Sequence, residues 1–213
     1  LNQDVEQVNE KLYRIFTSED VSVRTKYGLD AKWSLTLNNT LARMYYYFGD
    51  KSDIMPGRLS KKTQQALLEL LWQRTKIKND IHTAHKSTWW MVGSENHDLS
   101  AKSGSFLASQ IFKEIPAYKN RVYSDKGKGP GYSYWFHKDP DGVRYTGPDG
   151  RANWKSNSKY TAQDHYEAWN AYFKEFFIER AKKGFFLETA SPSYLKYSMS
   201  YIFIVITSET VLS

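Results

Sequence analysis

The sequence lacks several features that would restrict its class. It contains no cysteine among 213 residues, which excludes disulfide bonds and thiolate metal sites. No apolar run reaches the roughly 18 residues that a membrane-spanning helix needs, and the longest candidate covers only residues 201–206. No basic segment followed by an apolar one comes after Leu1. We therefore expect no membrane partner, and either a mature secreted or periplasmic protein or a trimmed piece of a longer one.

The composition is that of a folded protein with an unusual number of aromatic rings. Apolar residues make up 40% and charged residues 25%, which is typical of a globular chain. The net charge of +7 favours an anionic partner. Aromatic residues reach 16%, with 16 Tyr and 7 Trp, although the mean hydropathy is only −0.66. Rings in such a polar background are typical of a groove for a polyhydroxylated ligand or of a tyrosine-rich surface.

Apolar residues recur at helical spacing in six segments, separated by polar or Gly- and Pro-containing loops. Capping residues mark several boundaries, including Ser60, Gly49, Thr161 and Gly184. The polar stretch 18–27 is interpreted as a loop. The predicted helices cover residues 4–16, 30–48, 61–75, 100–115, 162–183 and 194–209.

Residues 118–160 interrupt this helical pattern with six glycines, three prolines and several aromatic rings. We interpret this segment as a long loop or a small β-hairpin that leaves a helical body. The fold class predicted is mainly α, with residues 1–213 as one helical domain. The ending IVITSETVLS lacks a charged or Gly/Pro closing segment, which favours a fragment of a longer chain.

The most informative stretch is TWWMVGSENHDLSAKSGSFLASQIF, residues 88–112. Here the tetrad Glu95-Asn96-His97-Asp98 lies at a predicted helix entrance, where free N–H groups and the helix dipole favour anions. Simple helix capping by Ser94 or Asp98 would explain the carboxylates, but not the amide, the imidazole and two tryptophans together. Cleavage of a uronic acid chain by β-elimination needs a group that neutralises the carboxylate, a base and an acid. Asn, His and Tyr side chains can fill these roles without a metal or another cofactor.

Two segments resemble α/α-toroid polysaccharide lyases of the heparinase II/III and alginate lyase types. SENHDLSAKSGSFLASQIF is similar to the Asn-Asn-His helix entrance of these enzymes. KEFFIERAKKGFFLETASPSYLKYSMSYIF is similar to a helix, turn and Tyr-rich helix found in toroid proteins. The resemblance covers about residues 85–115 and 160–205. It implies an α/α-toroid-like array of helical hairpins, incomplete at its C-terminus, that cleaves an anionic, uronic acid-containing glycan.

The resemblance also implies roles for individual residues. Asn96 would neutralise the substrate carboxylate and His97 would be the base, whereas Glu95 stands where the family has its first Asn. A tyrosine acid is implied, and Tyr194 and Tyr197 are the candidates by their position after the turn. Further candidate substrate-binding residues are aromatic rings that could stack on sugars, and one lysine: Trp89, Trp90, Trp135 and Lys196.

Four alternatives remain open at this stage. A glycoside hydrolase would use two carboxylates, about 5–5.5 Å apart if retaining or about 6.5–9.5 Å if inverting, from Glu95, Asp98 and Glu188. A carbohydrate-binding module would use the tryptophans without catalysis. A zinc site would draw on His82, His85 and the tetrad, although HTAH lacks the HExxH pattern, so no metal is predicted. A nucleic-acid partner would use the basic, aromatic segment after Lys119, but we interpret that segment as a solvated loop, since no nucleic-acid-binding signature is present.

Overall fold

A computed structural model describes residues 3–29, 36–78, 81–89, 94–123, 160–183, 199–202 and 205. Of these residues 76% are helical and none belongs to a strand, which confirms the prediction of a mainly α protein. The toroid arrangement stays a prediction, and so does the insertion, because most of residues 118–160 lie outside the described ranges. No described helix combines the length and the low charge that would let it cross a bilayer.

The chain divides into two compact units, and the division falls between Thr75 and Lys76. That residues 1–213 fold as one domain stays a prediction. The helices of the first unit are α1 (Gln3–Phe16), α2 (Val21–Lys26), α3 (Leu37–Phe48) and α4 (Lys61–Lys78), whose last turn passes the division. The second unit contains a short 3-10 helix (Ile81–His85), α5 (Glu95–Glu114), α6 (Pro116–Lys119) and α7 (Ala162–Lys183).

In the first unit, Asn9 connects α1 to the start of α4. Its amide donates to the Arg58 carbonyl at 2.8 Å, and its Oδ1 accepts the Ser60 N–H at 2.7 Å. The Asn9 carbonyl also accepts the Thr63 hydroxyl at 3.2 Å. One buried amide therefore pairs the polar groups at the entrance of α4, where Ser60 was predicted as the cap.

A buried arginine joins α4 to α3 within the same unit. The Arg74 guanidinium donates to Asn38 Oδ1 at 2.8 Å and to the Leu29 carbonyl. Its side chain is only 8% exposed. The buried guanidinium is satisfied by the hydrogen bonds that it donates to these neighbouring elements.

The structure differs from the sequence-based boundaries at α2. Residues 18–27 were interpreted as a loop, but Val21–Lys26 is helical. Asp20 caps this helix, since its Oδ1 accepts the Ser22 N–H at 2.7 Å. The six residues of α2 have no buried side chain, so no apolar spacing marks this helix in the sequence. Asp20, a typical capping residue, was the signal that could have identified it.

In the second unit, α7 begins and ends at the predicted residues. Thr161 and Asp164 form a capping box, in which Asp164 Oδ2 accepts the Thr161 N–H at 2.7 Å and Thr161 Oγ1 accepts the Asp164 N–H at 3.4 Å. α7 packs along α5 through buried rings. The Phe106 and Phe173 ring centroids are 5.6 Å apart, and both side chains are fully buried.

Helix α5 begins at Glu95, five residues before the predicted start at Ser100. Ser94 occupies the N-cap position with extended backbone dihedral angles, as one of the two capping alternatives had it. The tetrad therefore forms the first turn of α5 instead of preceding the helix. Small residues such as Gly104 and Ala108 are buried along α5 and allow the close approach of α7.

Candidate functional site at the entrance of helix α5

The first turn of α5 separates the four tetrad residues by exposure. Glu95, Asn96 and Asp98 are buried, whereas His97 is exposed. Residues one and four of a helical turn share a face, so Glu95 and Asp98 both lie on the inner side of α5. His97 is consequently the tetrad side chain that an external ligand can reach.

Glu95 forms a buried ion pair with the far end of α7. Its Oε1 lies 3.2 Å from Arg180 Nε, and the two side chains are 1% and 2% exposed. Arg180 Nη2 also donates to the Thr88 carbonyl at 3.0 Å. Arg180 Nη1 is buried and has no hydrogen-bond partner among the described residues. The guanidinium therefore contacts the chain before and after positions 90–93.

The faces of the Arg180 guanidinium are covered by aromatic rings. Its Cζ lies 3.8 Å from the Trp89 ring centroid and 4.1 Å from the Phe176 ring centroid. Trp89 also donates from Nε1 to Glu179 Oε2 at 3.5 Å. Hydrogen bonds from Lys182 and, to a smaller extent, from Trp89 lower the pKa of Glu179. Trp89 is partly exposed, so these contacts fix the ring at the surface beside the helix entrance.

Asp98 belongs to a second buried group of charges. Its Oδ2 lies 2.5 Å from Lys102 Nζ, four residues later on the same face of α5. Lys102 Nζ also donates to the Tyr172 hydroxyl of α7 at 2.7 Å. Burial lowers the pKa of Lys102, although the nearby Asp98 carboxylate opposes this shift. Burial and then the Asp98 charge raise the pKa of Tyr172 well above its ordinary value.

Asn96 accepts a hydrogen bond from Ser94 at the N-cap position of α5, whose side chain forms no capping bond to the helix backbone. The Ser94 hydroxyl donates to Asn96 Oδ1 at 3.1 Å. This bond occupies an acceptor position of the amide oxygen. Asn96 is 5% exposed, so it is buried next to the exposed His97.

Six further predicted site residues lie outside the described ranges: Trp90, Trp135, Glu188, Tyr194, Lys196 and Tyr197. His85 is exposed at the end of the 3-10 helix. No three His, Asp or Glu side chains of the described residues converge as metal ligands would. The structure thus links Trp89 to Glu95 through Arg180 at the entrance of α5, where Asn96 and His97 follow Glu95 along the helix.

Sequence reasoning missed three residues of this region: Lys102, Tyr172 and Arg180. The spacing of Lys102 four residues after Asp98 on a helix is a signal that could have identified their pair. The pairing of Glu95 with Arg180 joins residues 85 positions apart, and no local pattern identifies it.

An open groove of about 850 Å³ in the first unit is a separate surface feature. It lies between α1 and α2 and is lined by side chains of both charges, among them Glu10, Arg14 and Lys26. Glu10 pairs with Arg14 at 3.3 Å and with Lys62 at 2.6 Å. None of the predicted site residues lines this groove.

Comparison with known proteins does not add a family to this geometry. The chain matches no protein family, and no curated protein or solved structure is significantly similar to it.

Proposed function

We propose that the protein cleaves an anionic, uronic acid-containing polysaccharide by β-elimination, with His97 as the base. The supporting observation is the separation of roles within the tetrad. His97 is exposed, whereas the carboxylates of Glu95 and Asp98 are buried against Arg180 and Lys102. The imidazole is therefore the tetrad group that can exchange a proton with an external substrate.

In the proposed reaction, the imidazole removes the proton on C5 of a uronic acid residue, next to the carboxyl group. The electron pair of the C5–H bond forms a C4=C5 double bond as the C4–O glycosidic bond breaks. A phenol donates a proton to the departing oxygen. Tyr194 and Tyr197 are the candidates for this acid by their position after the turn, as the resemblance implies, whereas the Tyr172 hydroxyl is buried and engaged with Lys102.

The carboxyl group of the substrate must be stabilised as its α-carbon loses a proton. Asn96 and the N-terminal N–H groups of α5 offer donors and a positive dipole beside His97. The Ser94 hydroxyl orients the amide of Asn96 by donating to its Oδ1. These groups can neutralise an anion without a bound cofactor.

The exposure of the Trp89 ring favours a sugar as the ligand of this site. Arg180 covers one face of its ring, and the side chain remains partly exposed. The exposed part could stack on a sugar ring. Trp90, Trp135 and Lys196 remain proposed contributors to substrate binding.

The hydrolase alternative makes a different demand on the same residues. Glu95 would have to leave its pair with Arg180 to meet a glycosidic oxygen, which would strand a buried guanidinium. That cost favours elimination at His97 over hydrolysis by Glu95.

The test is a panel of uronic acid polymers with two readouts: ultraviolet absorbance of the 4,5-unsaturated product, and total reducing ends. Wild-type protein should produce both signals together. His97→Gln should reduce them about 10²–10⁴-fold, whereas His85→Gln, which alters another exposed histidine, should not. Reducing ends without the absorbance would indicate hydrolysis. Retention of glycan without either signal would indicate a binding module. Either of these two outcomes would overturn the proposal.

A further inference from the structure

We propose that Arg180 is a positioning residue that holds the Trp89 ring against the entrance of α5 and so sets the sugar-binding surface beside His97. This inference rests on the proposed function, in which Trp89 contacts the glycan. It concerns a residue of α7 that takes no part in the reaction itself.

The contacts of Arg180 join three parts of the second unit. Its Nε binds Glu95, the first residue of α5, and its Nη2 binds the carbonyl of Thr88. Its planar face lies against the Trp89 ring, and Phe176 of α7 also contacts the guanidinium. One side chain thereby fixes the residues on both sides of positions 90–93.

The chemistry of arginine suits this task better than that of lysine. A guanidinium is planar, so it can stack on an indole while its edge donates in fixed directions. An ammonium group could keep the charge near Glu95 but could not maintain the stack and both hydrogen bonds at once. Because Arg180 is 3% exposed, its geometry is set by the protein and not by solvent.

Loss of the Arg180 guanidinium should affect glycan binding more than the proton transfer. If Arg180 fixes the ring, loss of the guanidinium plane should weaken substrate binding and leave the proton transfer at His97 largely unchanged. A purely structural role would instead lower the folded fraction, which reduces the apparent kcat and leaves KM unchanged.

The experiment combines kinetics with ¹⁹F NMR of the full chain labelled with 5-fluorotryptophan. The Trp89→Phe variant lacks the Trp89 signal and so identifies it in the spectrum. Arg180→Lys should shift or broaden that signal and raise KM about tenfold with kcat within about twofold. Glu95→Gln combined with Arg180→Met avoids a stranded charge and should show the same effects in a folded protein. Lys183→Met, which removes an exposed charge from the same helix, should show neither effect.

An unchanged Trp89 signal in both Arg180 variants would overturn the inference, and so would a Trp89 substitution that raises KM when the Arg180 variants do not. If the wild-type protein cleaves no glycan, the proposed function fails. The Trp89 signal then still decides whether Arg180 positions the ring, because that readout does not depend on activity.

Discussion

At the scale of single residues, two pairs of buried charges define the entrance of α5. Glu95 pairs with Arg180, and Asp98 pairs with Lys102, with all four side chains at most 7% exposed. Removing charges from water is costly, and the pairs offset that cost only while both partners are present. A substitution that removes one partner leaves the other charge buried alone. It should therefore lower the free energy of unfolding by more than the net stabilisation that the pair provides.

Glu95→Gln tests this asymmetry directly. The substitution leaves the Arg180 charge buried without its carboxylate and should lower the free energy of unfolding by about 3–5 kcal/mol, measured by urea denaturation. The double variant Glu95→Gln with Arg180→Met should recover most of that loss. Glu175→Gln, on the exposed side of α7, is the control and should change stability by less than about 0.5 kcal/mol. A Glu95 variant as stable as the control would contradict this account of the pair.

Tyr172→Phe should show a pH-dependent effect. Near neutral pH it removes the acceptor of a charged donor, Lys102, and should cost about 1.5–3 kcal/mol. The pKa of Tyr172 is raised in the folded state, so the unfolded protein loses the phenol proton first, near the ordinary value of 10.0. Above that pH the folded state binds more protons than the unfolded state, and the stability that Tyr172 contributes is lost as pH rises.

The measurement is urea denaturation of wild type and Tyr172→Phe between about pH 8 and pH 11. Comparing the two proteins cancels the titration of the other tyrosines. The stability difference should shrink above pH 10, and a constant difference would show that the Tyr172 hydroxyl does not titrate differently in the folded state.

At the scale of elements, local signals determined some boundaries and tertiary contacts determined others. The limits of α7 could be predicted because Thr161, Asp164 and the basic last turn act within the helix itself. The start of α5 could not, because Glu95 and Asp98 are polar residues that become buried only through partners on the same helix and on α7. Polar residues before an apolar stripe are typical of a loop, so the predicted start was five residues late.

Like the helix boundaries, the residues of the site could be predicted only in part. The grouping of Trp89, Asn96 and His97 at a helix entrance follows from the sequence, since they are close neighbours along the chain. Which of them is exposed, and which carboxylate is already paired, depends on Arg180 and Tyr172 of a distant helix. Exposure and pairing are the properties that distinguish a base from a structural carboxylate, and local sequence does not contain them.

Thr161→Ala tests the capping box of α7. Loss of Oγ1 removes the acceptor for the Asp164 N–H and should reduce the free energy of unfolding by about 1 kcal/mol. Thr40→Ala is the matched control, because the Thr40 hydroxyl of α3 donates back to the carbonyl of Thr36, the residue before the helix, and caps no backbone N–H. Thermal unfolding followed by circular dichroism measures both. Equal effects of the two substitutions would contradict the capping role.

At the scale of the whole molecule, the net charge of +7 bears on the choice of ligand. A basic protein attracts a polyanion through long-range electrostatics, which salt screens. Binding of a uronic acid polymer to His97→Gln, which should not cleave it, is therefore expected to weaken about tenfold between roughly 20 and 200 mM salt. A neutral glycan should show much weaker binding and little salt dependence. Salt-independent binding of the polyanion would argue against an anionic substrate.

The most direct measurement of the central claim follows a deuterium atom placed on C5 of the uronic acid residues. With wild-type protein, the label should pass to solvent as chains are cut, each cut should leave a C4=C5 double bond, and the labelled polymer should react more slowly than the unlabelled one. His97→Gln should retain the label in intact chains. Cuts that release no deuterium from C5 of the residue at the break, or loss of label at an equal rate in the two proteins, would contradict proton removal by His97.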